Sequence, residues 1–198
     1  MIAEEKNTYT QEEYLAQERA APQKSEYFEG ELYPMAGATK EHNRVKENLS
    51  IKIGAHLWDK TCQSFSSDFR VHIPANSLYA YPDIVVVCDD LQLLDDEFDT
   101  LLNPNVLIEV LSKGTRGYDK SRKFELYRAI PALSEYITVD SERVKVEVWQ
   151  KSAEGVWMLA KETADPADSI TVRTIDLTLA LSDIYNRVPH DRVPDSGR

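Results

Sequence analysis

The sequence predicts an α/β (α+β) domain in which a central mixed β-sheet is flanked by helices. Three observations lead there. Helical patterns come first and strand-like runs follow, with one helix interrupting them, an order that suits a mixed sheet. Two of the runs, Ile84 to Val87 and Asn105 to Leu111, are almost continuously apolar, as in strands buried on both faces. A chain of 198 residues, 42% hydrophobic and 29% charged, is long enough for one domain with its own core.

Each element has a local reason. Thr10 and Glu13 have capping-box spacing and open a short helix that stops before Pro22. Glu26 to Tyr33 reads as a hairpin with Glu29-Gly30 at the turn. Thr39 caps a longer helix reaching to about Lys60, in which Val45, Leu49, Ile53 and Leu57 recur on one face. Strand-like runs then cover Phe65 to Ile73, Pro82 to Cys88, Asn105 to Ser112, Glu135 to Val139, Val144 to Gln150 and Val156 to Lys161. The interrupting helix starts at Tyr118-Asp119 and is stopped by Pro131. A last helix is expected from Leu177 to Tyr185. It closes a single domain over residues 1–186, ahead of a mobile tail over 187–198.

Composition excludes several function classes. With 34 acidic and 23 basic residues the net charge is −11, which argues against a surface that coats nucleic acid or an anionic membrane. The longest apolar stretch, Ile84 to Cys88, is far short of the ~20 residues of a membrane helix. The start lacks the basic region and apolar run of a secretory signal, which predicts a cytoplasmic protein. Cys62 and Cys88 form no metal-type pair and are expected as two reduced, buried thiols.

Three charged residues stand where charge is costly. Glu109 interrupts the apolar run Asn105 to Leu111, on the face of Leu107 and Leu111, where an unpaired carboxylate would cost several kcal/mol. Asp83 opens the similar run ending at Val87. On the helix after Asp119, with Phe124 at zero and about 100° per residue, Lys123 falls near the middle of the apolar arc and Lys120 on the same side. An inward lysine requires an anionic partner, and Asp83 and Glu109 are the candidates. Two acids and a lysine at one sheet edge have the chemistry of metal-assisted phosphodiester hydrolysis: the acids hold Mg²⁺, and the ammonium orients water or steadies developing charge.

These residues resemble the PD-(D/E)XK nuclease superfamily, and more closely the bacterial Uma-type restriction endonuclease family. The pieces are Glu26 to Leu32, Met35-Ala36-Gly37 with His42, Tyr81 to Val86, Ile108 to Ser112, Tyr118-Asp119 with Lys123, Leu126 and Tyr127, and Glu135-Tyr136. The resemblance covers most of the chain. It implies a restriction-endonuclease-like core and cleavage of nucleic acid with Mg²⁺ or Mn²⁺. Asp83 and Glu109 then serve as the metal-binding acids and the Val110 carbonyl as a further ligand. The superfamily's lysine is expected two residues after the second acid, where this chain has Leu111. Lys123 looks like its migrated replacement, preferred over Lys113, which lies beyond the apolar run beside Gly114. Glu26 is a weaker site candidate and His42 weaker still.

Between Leu111 and Arg128 six bases oppose two acids, whereas Asp89 to Asp99 holds six acids and no base, as expected of a solvated loop. Arg116, Arg122 and Lys120 are therefore candidate phosphate contacts. The expected partner is DNA, with a homodimer as the simplest way to cut both strands. The alternatives are a catalytically silent module that keeps the fold for binding or assembly, and a nuclease acting on RNA or branched DNA.

Overall fold

In the computed structural model the described residues are 8–97, 99–114 and 116–189. Two sheets stack, and the larger one is covered on both faces. The helix α1 (Gln11–Ala20), with its capping box between Thr10 and Glu13, leads into the hairpin β1 (Ser25–Phe28) and β2 (Glu31–Pro34). Glu29 and Gly30 both take positive φ at the turn, as a two-residue hairpin loop requires. The long helix α2 (Lys40–Leu57) follows, capped by Thr39 as its sequence predicts.

The remaining strands are β3 (Gln63–Ser66), β4 (Arg70–Ile73), β5 (Leu78–Ala80), β6 (Ile84–Val87), β7 (Thr100–Leu101), β8 (Val106–Leu111), β9 (Glu135–Asp140), β10 (Val146–Lys151), β11 (Trp157–Thr163), β12 (Ser169–Val172) and β13 (Leu177–Ala180). The six-stranded sheet has the order β11-β10-β9-β8-β6-β3, mixed because β8 and β9 run parallel while its other pairs are antiparallel. A five-stranded sheet, β2-β1-β5-β4-β7, packs over it. This is the α+β arrangement, with a central mixed sheet between helices, that the sequence predicts.

The two larger hydrophobic clusters among the described residues follow strand parity. Ile84, Val86, Val106, Ile108 and Val110 face Val45, Leu49, Ile53 and Leu57 of α2. Val85, Val87 and Leu107 face the opposite way, against Val71, Ile73 and Leu78 of the second sheet and Phe124, Leu126 and Tyr127. Glu109 shares the parity of Leu107 and so points to this second side. Among the described residues no helix is long and apolar enough to cross a membrane.

Several expectations are corrected. The run from Phe65 to Ile73 is two strands in different sheets, separated at Ser67, whose φ of 61° breaks the extended chain. Leu177–Ala180 is strand β13, not helix, because its residues pair with β12 and bury Leu179; only α5 (Leu181–Ile184) is helical. The interrupting helix is divided into α3 (Arg116–Tyr118), a π-helical turn Asp119–Lys123 and α4 (Phe124–Tyr127). Cys62 and Cys88 are half-buried and joined in a disulfide, because they lie one step beyond the register pair Gln63 and Val87. The acidic loop is not wholly solvated: Asp95 and Asp99 bind Arg19, and Asp99 also reaches the buried Arg70. Of the tail, residues 190–198 lie outside the described residues.

Candidate active site

The register Ile84 to Ile108 between β6 and β8, extended by one residue, sets Asp83 opposite Glu109. The contact is direct at the backbone, since the Val110 N–H donates to Asp83 Oδ2 at 2.8 Å. The π-helical turn brings Lys123 over the same edge, a local form found often at functional sites. Its ammonium lies 3.0 Å from Glu109 Oε1, 2.8 Å from Glu26 Oε1 and 3.7 Å from Asp119 Oδ1. Lys123 and Glu109 are buried, and Tyr127 donates its hydroxyl to Glu109 Oε1 at 2.9 Å.

Glu26 reaches this point from β1, accepting also from the Tyr81 N–H at 3.1 Å. His42, on the first turn of α2, places Nε2 3.3 Å from Asp83 Oδ2. These residues line a cleft of about 690 Å³ together with Lys24, Lys46, Ser67, Tyr81, Val110 and Lys113. Its floor is the Asp83–Glu109 edge.

Burial sets the electrostatics. Loss of water, opposed by Lys123 and reinforced by Asp119, Asp83 and Glu26, pushes the Glu109 carboxyl up to about 8. The same burial pulls Lys123 down, but Glu109, Glu26, Tyr127 and Asp119 outweigh it and hold the ammonium well above the ordinary lysine range. Lys123 is thus a fixed cation, not a base.

Asp83 Oδ1 and Glu109 Oε2 accept no hydrogen bond from a described residue, so each acid keeps one oxygen for a ligand. Among the described residues no group of three or more His, Cys, Asp and Glu could hold a metal ion. Mg²⁺ commonly takes only one or two carboxylates and completes its shell with water and phosphate oxygens. Two hard oxygen donors beside a backbone edge fit that pattern.

Arg116, Lys120 and Arg122 lie outside the cleft lining. Arg116 is bound by Asp140 and Glu142, at 2.8 and 2.9 Å. Lys120, placed by helical periodicity on the side of Lys123, instead pairs with Glu147 on β10, because the π-helical turn breaks the 100° phase. Arg122 is exposed, 3.8 Å from Glu125 and over the Phe28 ring. Lys113 is an exposed loop residue at the cleft. Sequence reasoning missed the roles of Asp119 and Tyr127. Asp119 precedes Lys123 by four residues, ion-pair spacing on a helix, and an inward tyrosine hydroxyl needs a partner.

A family model described as Uma2, "Putative restriction endonuclease", matches residues 11–182. The chain belongs to the Uma2 family. Two Synechocystis sp. proteins, sll1609 and slr1290, both described as uncharacterized, are similar to it. The first is 36% identical over 85% of this chain and 95% of its own length, the second 34% identical over 88% and 90%. A solved structure from Anabaena variabilis, described as "a putative nuclease belonging to DUF820", matches with a TM-score of 0.72 over 89% of this chain and 97% of that one. At 16% identity it shows the shared fold. The Uma2 match and this fold relate the chain to PD-(D/E)XK-like proteins.

Proposed function

We propose that this Uma2 chain is a Mg²⁺-dependent endonuclease that hydrolyses DNA phosphodiester bonds, with Mn²⁺ as a working substitute. The observation that carries the reading is the meeting of Asp83, Glu109 and Lys123 at one cleft, each acid with an uncommitted oxygen. Asp83 and Glu109, with the Val110 carbonyl, hold the cation. When bound, the cation supplies Lewis-acid polarisation of the phosphate and acidifies water.

The chain's own groups do the rest. His42 and the Val110 N–H fix Asp83 Oδ2 and so aim the other oxygen into the cleft. Tyr127 and Lys123 do the same for Glu109. Glu26 anchors the Lys123 ammonium, which orients the attacking water and steadies charge developing on the phosphate without reorganising. Outside the cleft, Arg122 is the more available backbone contact, since its ion pair is exposed and weak. Arg116 and Lys120 contact substrate only by leaving their acids. A homodimer offers two such sites to the two strands, and cytoplasmic DNA is the substrate in view.

The net charge of −11 favours the competing reading, a silent module with the nuclease fold. One assay separates them. Purified protein is incubated with supercoiled, linear, single-stranded and branched DNA and with RNA, in Mg²⁺ or Mn²⁺, beside Asp83→Ala, Glu109→Ala and Lys123→Ala. Wild type is expected to cut DNA, and each variant to lose on the order of 10²-fold or more. Cutting of RNA or branched DNA alone would move the substrate. No cutting at all, or equal cutting by the variants, ends the nuclease reading.

A further inference from the structure

Two lysines on the cleft wall take no part in the chemistry above. Lys24 precedes β1, and Lys46 is one turn beyond His42 on α2. Both reach the turn between β3 and β4: Lys46 Nζ donates to Ser67 Oγ at 2.7 Å, and Lys24 Nζ donates to the Ser67 carbonyl at 3.2 Å. Both are half-buried, so each ammonium has given up part of its water.

Their neutralisation is incomplete. Among the described residues Lys46 forms no ion pair with a carboxylate, and Lys24 forms one only with Asp68, whose side chain is 80% exposed. Such an exposed pair is weak, because water and salt screen it. Burial, and then the charge of Lys46, hold Lys24 below the ordinary lysine range, against the opposing charge of Glu18. Lys24 also stands over the Tyr81 ring, 5.2 Å from its centroid. Two under-neutralised cations on one wall call for an anion.

Their position says which anion. The Ser67 N–H donates to the Asp83 carbonyl at 3.1 Å, so the turn that gathers the lysines is bonded to the residue that opens the candidate active site. Lys123, by contrast, is already held by Glu26, Glu109 and Asp119. We propose that Lys24 and Lys46, gathered on Ser67, form a phosphate clamp that grips the nucleic-acid backbone next to the phosphate presented to Asp83 and Glu109. The clamp rests on the nuclease reading. It is sequence-independent, because ammonium groups meet backbone phosphate and carry no base code. It also explains how a chain of net charge −11 can hold a polyanion, by local cations inside a cleft.

The test measures binding apart from cleavage. Binding of a fluorescein-labelled oligodeoxynucleotide, single-stranded or duplex, is followed by anisotropy in EDTA over a range of NaCl concentrations. Log affinity falls with log salt by roughly 0.7 per phosphate contact for a single strand and roughly 0.9 for a duplex. The Lys24→Gln/Lys46→Gln variant is expected to lose about twice that slope and to bind on the order of 10-fold more weakly. Lys24→Arg/Lys46→Arg should restore most of both, and Lys52→Gln, an exposed lysine on α2, should change neither slope nor affinity by as much. In Mg²⁺ the double glutamine variant should raise KM more than it lowers kcat.

If the glutamine variant binds and cuts as wild type does, the clamp is overturned and the nuclease reading stands. If wild type neither binds nor cuts in any buffer, both are overturned. If wild type binds through these lysines but never cuts, the clamp is retained as a nucleic-acid site and the catalytic reading alone falls.

Discussion

Lys123 reaches Glu26, Glu109 and Asp119 from one buried position, and truncating it leaves those carboxylates without their shared cation. Breaking a buried ion pair from one side costs about 3 kcal/mol, because the remaining charge is neither solvated nor paired. Lys123→Ala should therefore lower the unfolding free energy in urea by about that much, and adding Glu109→Gln should recover part of the loss. Stability equal to wild type would mean that the cluster carries no such strain. Loss of cutting by Lys123→Ala must accordingly be measured on protein shown to be folded. Lys123 itself was legible in the sequence, since periodicity placed a lysine where only apolar side chains belong. Tyr127 was not, because its ring satisfies that periodicity and conceals a hydroxyl donating to Glu109.

At the scale of elements, α2 and β8 were legible because burial repeats along them, every fourth residue in the helix and continuously in the strand. β13 was not. Its four residues merge into Leu181 and Ile184, and a short apolar run does not separate helix from strand. The break at Ser67 was hidden for another reason, because a positive φ on serine has no signature in composition. The β1–β2 turn, by contrast, was announced by Gly30. Its φ is +88°, and a Cβ there would lie 3.2 Å from the Thr8 Cβ. Gly30→Ala is expected to cost at least about 1 kcal/mol, read as a lowered Tm. Because β1 carries Glu26, cutting should weaken too. An unchanged Tm would show that this turn tolerates a side chain.

Across the whole molecule, Asp99 joins distant parts of the chain. It binds Arg19 of α1 and Arg70 of β4, while Arg70 donates to Tyr81 and Tyr81 to Glu18, so α1, the acidic loop and the strand leading to Asp83 share one network. The hydrogen bond from Arg19, with burial opposing it and Thr100 and Arg70 adding to it, holds the Asp99 carboxyl well below the usual range. A carboxyl depressed in the folded state stabilises fully above its unfolded pKa, ~3.9, and loses that contribution as pH falls through the folded value. The Tm gap between wild type and Asp99→Asn should thus be constant from neutral pH down to about 5 and close below about 4. A gap that closes near neutral pH would assign the effect to another group.

The bond between Cys62 and Cys88 acts at this scale as well. β3 is the outermost strand of the six-stranded sheet, four residues long and paired on one side only, to β6. A strand so placed is the first to peel away, and peeling would bare the β6 edge as a template for another chain. The cross-strand link pins β3 just before its first residue, so it works as a guard against self-association, at the end of β6 remote from Asp83. Reduction would then be felt as stickiness before it was felt as lost catalysis.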